Sequence, residues 1–333
     1  PQVQKEVVRT PGASILVSLM KLRRRGRRVI HQARLQNPQV RVVVNGGNCE
    51  GNDVNWVHMV HHACAPCDKG TPLGFRLRNR LFRWLSRRDE RRSIRAARLV
   101  IANSQKTKHE LMENLGIPEE RIRVVYLGTD PKEFAPLTGE ERQEARNRFG
   151  LSERDVVLGF VGALGWDRNK GFDVLLAACR RLLDQASFPL RVLAAGGGAL
   201  DYWRTESARF GLQGQVQLVG HTTSIREVMA AVDLLVSPTR YDAYGLAVHE
   251  AICLGLPVIV ARTAGVAERF PLELSDNIVA DADDVEALAR RVLTCIKELS
   301  DVRRRFQSFS EKLRSYSWKD MAQELVSLVG MPN

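Results

Sequence analysis

Long hydrophobic runs are missing from this sequence of 333 residues. No apolar stretch approaches the ~20 residues that a membrane-spanning helix needs, and the apolar segment 251–261 is short and interrupted by Gly255 and Pro257. The charged, mixed beginning of the chain also lacks an apolar segment followed by a small-residue cleavage site, so no signal peptide is expected. These absences predict a cytoplasmic protein that does not span a membrane.

Cysteine is scarce and scattered. The six cysteines show no spacing typical of a disulfide framework, which favours reduced thiols and again a cytoplasmic location. The sequence also contains no internal repeat and no low-complexity segment. Because the chain begins with Pro1 rather than Met, either the initiator Met was removed or the sequence is a fragment.

Acidic residues are few in the first part of the chain. Residues 1–130 contain 25 Lys and Arg against 11 Asp and Glu, a net charge of +14, whereas the remainder is close to neutral. The positive charge is densest in residues 21–28 and from Arg76 to Arg98. A strongly basic half of this kind attracts a polyanion, either an anionic membrane surface or a nucleic acid.

The segment from Arg76 to Arg98 has the pattern of a basic helix with an apolar stripe formed by Leu77, Leu81, Trp84 and Leu85. Such a helix can lie on an anionic membrane, on the cytoplasmic face. Alternatively, its apolar stripe faces the core and its arginines are solvated. Nucleic-acid binding is not favoured, because no zinc-finger or RNA-recognition signature accompanies the charge.

Length and composition allow two domains, each with its own core, since 333 residues with 44% hydrophobic content exceed one typical domain. Short apolar runs predict strands at residues 40–44, 54–58, 99–102, 122–126, 156–161, 192–195, 216–219, 234–236, 258–260 and 278–280. In the second half, helical patterns alternate with these strands at residues 172–185, 200–210, 225–231, 246–254 and 285–299. Alternation of this kind predicts parallel sheets covered by helices, with ligands at the carboxyl ends of the strands.

The stretch from Ser237 to Glu250 is the most informative in the chain. An apolar strand leads into a Pro-containing loop, then Gly245, then a helical pattern. Gly245 lets the backbone approach a ligand, and the helix N-terminus behind it offers free N–H groups and partial positive charge to a diphosphate. Asp242 and Glu250 can accept hydrogen bonds from sugar or ribose hydroxyls. The pattern predicts a nucleotide-sugar site; the alternative is an ordinary strand–helix turn.

Two further turns in the second half favour the same prediction. Gly162 ends a predicted strand, and Lys170 with Gly171 precedes a helix, a suitable position for binding phosphate oxygens. Gly197 lies in a Gly-rich turn that follows another strand, although this turn does not spell the dinucleotide motif Gly-x-Gly-x-x-Gly. A solvated lysine and plain tight-turn glycines are the alternatives.

A segment rich in histidine and cysteine lies in the first half. His58, His61, His62, Cys64 and Cys67 fall within ten positions. No second Cys or His pair at finger-like distance completes a tetrahedral zinc site, so no metal site is predicted. A thiol redox role is not favoured either, because no thioredoxin-like context surrounds the cysteines.

The stretch from Ser237 to Glu250 resembles the paired-acid signature of retaining glycosyltransferase family 4, in which two Glu residues flank seven others. Asp242 stands in place of the first Glu and is shorter by one methylene. The turn with Lys170 is similar to the family's Gly-Arg-Leu…Lys-Gly element, but Ala163 occupies the usual Arg position, and Arg168 is our candidate for the missing cation.

The resemblance covers the chain from Asp53 to the C-terminus and implies a GT-B architecture, an α/β fold in which two Rossmann-like domains face a cleft. It implies an acceptor-side domain in residues 1–135, a nucleotide-sugar-binding domain in residues 136–315, and a helix in residues 316–333 that crosses back. The linker is predicted in residues 131–139, because Pro131, Pro136 and Gly139 cluster there ahead of a charged helix. The family's first strand and Gly-rich loop are not recognisable in residues 1–40. The first domain is therefore truncated or built in another way.

The resemblance also implies roles for particular residues. A retaining transfer would use a nucleotide-diphospho-sugar with no metal and no cofactor, and its acceptor would be a glycan or a lipid-linked molecule. His58, Asp242 and Glu250 are the implied catalytic residues. The implied donor-binding residues are Gly162, Arg168, Lys170, Gly197, His221, Tyr244, Gly245, Leu246 and Glu250.

Two alternatives from other functional classes remain open. The second domain can bind a nucleotide-sugar while the unusual first half prevents catalysis, which would make the chain a binding module. The basic half can instead serve a polyanion-binding protein. An oxidoreductase is not favoured, because the Gly-rich turns lack the ribose-binding acid expected about 20 residues further on.

Overall fold

The computed structural model describes residues 15–65, 67, 71–185 and 188–330. This part of the chain divides into two compact units. The first comprises the residues up to Cys64, Pro72–Tyr126 and the stretch from Gln323 onward. The second comprises Leu127–Ala322 and the described residues of Ala65–Thr71. The chain passes from the first unit to the second after Tyr126, and it returns to the first unit within the last helix, after Ala322.

The first unit contains α1 (Ile15–Gln36), β1 (Val43–Asn45), β2 (Val54–Val57), α2 (Leu73–Ala96), β3 (Leu99–Ala102), α3 (Gln105–Leu115) and β4 (Ile122–Val124). The second contains α4 (Gly139–Arg148), β5 (Val156–Val161), α5 (Phe172–Leu183), β6 (Leu190–Ala195), α6 (Leu200–Arg209), β7 (Val216–Gly220), α7 (Ile225–Ala230), β8 (Leu234–Ser237), α8 (Leu246–Cys253), β9 (Val258–Ala261), β10 (Ile278–Val279), α9 (Val285–Lys297) and α10 (Leu299–Arg314). The last helix, α11 (Trp318–Gly330), contributes to both units.

The first unit has a parallel sheet in the order β1-β2-β3-β4. Its core contains Val57 from β2, Val100 from β3 and Leu111 from α3, all fully buried. The carboxyl ends of β1 and β2 lie side by side, so the turn Gly46–Gly47 and His58 share one edge of the sheet. The family's first strand was not recognisable in residues 1–40, and part of this segment forms α1.

The second unit has a parallel sheet in the order β10-β9-β8-β5-β6-β7. Its first strand, β5, pairs with β6 on one side and with β8 on the other. The order of strands along the chain therefore reverses between β5 and β8. Ligands of open α/β sheets bind outside the carboxyl ends of the strands at such a point. The predicted α/β fold with two parallel sheets is confirmed, and each predicted strand is present in the structure.

Candidate functional site

The candidate site lies where the loops that follow β5 and β8 meet, in the second unit. Lys170 comes from the first loop and Asp242 from the second, and the Lys170 Nζ lies 2.5 Å from the Asp242 Oδ2. Both side chains are partly exposed, at 30% and 25%. The ion pair thus spans the point at which the strand order reverses, and solvent or a ligand can reach both charges.

Backbone and amide contacts fix the two loops relative to each other. Asn169 Nδ2 donates to the carbonyl oxygen of Tyr241 at 2.9 Å, and the amide of Arg240 donates to the carbonyl oxygen of Asn169 at 2.8 Å. The amide of Gly265, which follows β9, donates to the carbonyl oxygen of Asp242 at 3.1 Å. The loops after β5, β8 and β9 therefore hold the backbones of Lys170 and Asp242 in fixed positions relative to each other.

Gly171 allows the close approach of these loops. Its φ is +73°, and a Cβ at this position would overlap the carbonyl oxygen of Pro238 in the loop after β8. Gly171 precedes α5 and directly follows Lys170, so the same turn starts the helix and positions the lysine. A residue with a side chain would force the two loops apart.

We expect Gly171→Ala to lower the free energy of unfolding by about 2–4 kcal/mol, since it adds the cost of a left-handed alanine to a steric overlap with backbone. Urea titration followed by circular dichroism measures this. Gly150→Ala is the matched control: Gly150 has φ +67° but nothing within 4 Å of the added Cβ. It should cost only about 1–2 kcal/mol. Equal losses for the two variants would contradict the loop contact.

The N-terminus of α8 lies next to Asp242 in the chain. Gly245 adopts φ +99° immediately before the helix, and Leu246 is the first helical residue. Among the described residues, the amides of Gly245 and Leu246 donate to no acceptor. A helix N-terminus with free N–H groups carries partial positive charge and binds phosphate oxygens. The turn therefore supplies donors next to the Lys170–Asp242 pair.

Glu250 lies on the second turn of α8. In the described part of the chain its carboxylate has no hydrogen-bond donor and no counter-ion. Burial, with a smaller contribution from the charge of Glu133, raises the pKa of Glu250 from 4.5 to about 7. A half-buried carboxylate without a partner is costly for the fold, and such groups occur at functional sites.

The ring of Tyr244 does not line the site. It is 2% exposed, and its hydroxyl lies 2.7 Å from His249 Nδ1 and accepts a hydrogen bond of 3.0 Å from Arg269. Burial lowers the pKa of His249 to about 3, so this imidazole is neutral. His249 and Arg269 were not predicted as site residues, and they anchor the turn at Gly245 from within. The prediction that Tyr244 contacts the donor gains no support from this buried position.

Arg168 is occupied by other groups. It has φ +49°, its guanidinium lies over the ring of Tyr202 and donates to the hydroxyl of that residue, and its Nη2 lies 3.3 Å from Glu206 Oε2. Both partners belong to α6. The charge of Arg168 is thus compensated within the protein. Our hypothesis that it replaces the missing phosphate-binding arginine gains no support from these contacts.

The remaining predicted residues of the second unit lie along the same edge of the sheet. Gly162 follows β5, and a Cβ there would be 3.3 Å from the side chain of Lys170. Gly197 follows β6 and is exposed; a Cβ there would lie 3.7 Å from the Cβ of His221, which follows β7. Gly162 therefore makes room for Lys170, whereas Gly197 and His221 form a neighbouring pair beyond β6.

In the first unit, His58 follows β2 and is half-buried, with its ring centroid 4.4 Å from that of Trp56. Burial lowers its pKa, so the imidazole is neutral at pH 7. The following turn is held by Glu90, whose buried carboxylate accepts hydrogen bonds from the amides of His61 and His62. Among the described residues, no three His, Cys, Asp or Glu side chains are arranged to hold a metal ion. The catalytic role of His58 stays a prediction.

Two family models match this sequence. The model described as "Glycosyl transferases group 1" matches residues 155–298, and the model "Glycosyltransferase Family 4" matches residues 43–133. The second match begins at β1, ten residues before the resemblance seen in the sequence. Together the two matches include the strands of both sheets.

Curated relatives agree with this result. An uncharacterized glycosyltransferase of Methanocaldococcus jannaschii is 28% identical over 236 residues, which are 69% of this chain and 59% of that protein. The mannosylfructose-phosphate synthase of Agrobacterium fabrum is 28% identical over 246 residues, 71% of this chain and 53% of that enzyme. The chain thus spans between a half and three fifths of the length of these relatives.

Solved structures show the same fold. The sucrose-phosphate synthase of Thermosynechococcus elongatus matches with a TM-score of 0.73 at 18% identity, over 96% of this chain and 79% of that chain. Anabaena HepE, solved with UDP and glucose, matches with a TM-score of 0.65 at 20% identity, over 84% of this chain and 71% of that chain. The chain belongs to the group 1 glycosyltransferases of the family 4 type, which have the GT-B fold.

Proposed function

We propose that this chain transfers a sugar from a nucleotide-diphospho-sugar to a hydroxyl of a glycan or lipid-linked acceptor, with retention of configuration and without a metal ion. The observation that carries the proposal is the Lys170–Asp242 pair, which spans the reversal point of the sheet beside the free N-terminus of α8. A cation, free backbone amides and a carboxylate are the groups that a diphosphate linked to a sugar requires.

In the proposed donor complex, the diphosphate takes the place of Asp242 as the partner of Lys170. The amides of Gly245 and Leu246 donate to its oxygens. Asp242, released from Lys170, accepts a hydrogen bond from a sugar hydroxyl, and Glu250 accepts hydrogen bonds from the ribose. Lys170 thus has an anionic partner in both states, which avoids leaving a partly buried charge unpaired.

In the proposed transfer step, the bond between the anomeric carbon and the diphosphate oxygen breaks, and the diphosphate leaves with the electron pair. The acceptor hydroxyl oxygen bonds to the anomeric carbon, and its proton passes to the departing diphosphate. Negative charge grows on the diphosphate as the bond breaks, and Lys170 with the α8 amides stabilises it, a task that a divalent ion performs in other sites. His58, a neutral imidazole, is proposed to hydrogen-bond a substrate hydroxyl.

The relatives support a nucleotide-sugar donor and a role in glycan or glycoside synthesis. Anabaena HepE was solved with UDP-glucose and with UDP and glucose, and several curated relatives are D-inositol 3-phosphate glycosyltransferases. UDP-sugars are therefore the first donors to test. A second candidate, a nucleotide-sugar-binding protein without turnover, is favoured by the acid at Asp242, which is shorter by one methylene than the Glu of the family signature.

A melting screen against UDP-, GDP-, ADP- and TDP-sugars tests donor binding. A donor present at 100 times its Kd should stabilise the chain by ~2.7 kcal/mol, with the free nucleoside as the control that lacks the diphosphate. The stabilisation should persist in EDTA. A chain that none of these donors stabilises would contradict the proposal.

Transfer or hydrolysis of the stabilising donor then separates the two candidates. An enzyme releases sugar or forms a product, and proton NMR of the new glycosidic bond should show the anomeric configuration of the donor. Binding without any release would favour the binding protein. An inverted product would disprove retention while leaving the donor site intact.

A further inference from the structure

Helices α1 and α2 of the first unit present a surface that the proposed donor site does not use. We define this α1/α2 surface by residues 15–36 and 73–88. These residues include seven Lys and Arg in α1 and six Arg in the N-terminal part of α2, with no Asp or Glu in either segment. Such a concentration of one charge on two neighbouring helices repels cations and attracts any anionic surface.

Large apolar side chains on α2 face the solvent within this basic surface. Leu73, Leu77, Leu81 and Trp84 are exposed by 68%, 59%, 50% and 59% of their surface. Their spacing of four, four and three residues places them on one face of the helix over three turns. Of the predicted stripe, Leu77, Leu81 and Trp84 therefore do not pack on the core, whereas Leu85 is partly buried. The residues of α2 that are fully buried lie further along, at Glu90, Ser93 and Ile94.

Ion pairs hold α1 against the same helix. Arg23 on α1 pairs with Asp89 on α2, and Arg27 on α1 shares Glu50 with Arg92 on α2. Between the helices lies an open groove lined by residues of both, among them Met20 and Leu85. Because Met20 is 54% exposed, the apolar surface extends from α2 onto α1. The two helices therefore form one continuous basic and apolar surface.

We propose that the α1/α2 surface binds an anionic lipid bilayer, in the plane of its headgroups. Exposed Leu side chains and a Trp flanked by arginines are the groups that enter the boundary between headgroups and acyl chains. Among the described residues, no helix is long and apolar enough to cross a membrane, so the contact is peripheral. A nucleic acid would contact the arginines but would leave the three exposed leucines without an apolar partner. It therefore accounts for this surface less well than a lipid bilayer does.

The arginines of α2 differ in their availability to lipid. Arg87 donates to the carbonyl oxygens of His61 and Cys64 and serves the fold. Arg78 and Arg88 lie over the rings of Phe75 and Trp84, at 5.5 and 6.0 Å from the ring centroids. These stacked guanidinium groups extend along the apolar side chains, where they can contact headgroup phosphates while the rings enter the interface.

Sedimentation of the full chain with phosphatidylcholine vesicles, with or without phosphatidylglycerol, tests the proposal. We expect binding to the anionic vesicles that weakens as salt is added, and little binding to the neutral ones. The charge variant Arg76→Gln/Arg78→Gln/Arg80→Gln should weaken binding by roughly 100-fold, since each arginine near the surface contributes about fivefold. The apolar variant Leu77→Ser/Leu81→Ser/Trp84→Ser should weaken it at least ~10-fold.

Matched controls lie in the second unit. Leu272→Ser removes a leucine that is 86% exposed, and Arg204→Gln removes an arginine whose side chain is 61% exposed. Neither should change vesicle binding. Circular dichroism and the donor-induced melting shift establish that each variant is folded, and they report on the donor site separately from the lipid surface.

Several results would overturn the proposal. One is a wild-type chain that stays in the supernatant with anionic vesicles at low salt. Another is an apolar variant that sediments like the wild type. A third is tight, salt-sensitive binding to RNA or DNA that the apolar variant retains in full while vesicles are not bound; the surface would then belong to a nucleic acid.

Discussion

Replacing Lys170 by alanine should lower kcat for sugar transfer by about 10²–10³-fold. Lys170 is the one fully charged cation that we place next to the departing diphosphate. Removing a single preorganised donor of this kind costs ~3–4 kcal/mol in the transition state. The side chain is partly exposed and its main contact is the ion pair with Asp242, so the fold should survive. Steady-state kinetics with the donor found by the melting screen measures the loss.

Two comparisons make the Lys170 prediction specific. Lys297→Ala removes an exposed lysine of the same unit and should leave turnover unchanged. Lys170→Arg keeps the charge on a larger, differently shaped group and should recover part of the activity. If Lys170→Ala turns over at the wild-type rate, the diphosphate is stabilised elsewhere and the proposed site is wrong.

Replacing Glu250 by glutamine should stabilise the fold and impair donor binding. The pKa of Glu250 is raised from 4.5 to about 7 in the folded chain, so the folded state binds this proton more tightly than the unfolded state. The contribution of this pKa difference to the free energy of unfolding is fully present below about pH 4.5 and is lost as the pH rises through about 7. At pH 8 the ionised group costs about 3 kcal/mol, since each pKa unit corresponds to ~1.4 kcal/mol.

The glutamine variant should therefore unfold at higher urea than the wild type at pH 8, and the difference should vanish near pH 4.5. Its donor KM should rise by roughly 10–100-fold, because a hydrogen bond to a charged group contributes ~1.5–3 kcal/mol. Glu273→Gln, at an exposed position, should change neither quantity. A glutamine variant that is less stable than the wild type at pH 8 would show that Glu250 has a stabilising partner.

Many of the strands could be predicted from the sequence because a parallel strand that is buried on both faces reads as a nearly continuous apolar run. β9 is an example: all four of its residues are buried, and the run is recognisable without any partner. The loops that carry Lys170, Asp242 and Gly245 were likewise predictable, since glycine and the switch from strand to helix are local signals. The distance between Lys170 and Asp242 was not, because it joins residues 72 positions apart.

Other features depend on partners that are distant in the sequence. Nothing near Arg168 indicates that Tyr202 and Glu206 on α6 take up its guanidinium. A Tyr next to Gly245 is as compatible with a ligand contact as with the buried hydrogen bond to His249 that the structure shows. The periodicity of α2 predicts an apolar face but not its direction, and that face turns out to be exposed.

A crystal structure of the chain with the nucleotide-diphospho-sugar that stabilises it most would show whether Lys170 and the N-terminus of α8 bind the diphosphate. We expect diphosphate oxygens within hydrogen-bond distance of the Lys170 Nζ and of the amides of Gly245 and Leu246, with the Lys170–Asp242 ion pair broken. A donor bound elsewhere in the chain, with that ion pair intact, would contradict this expectation.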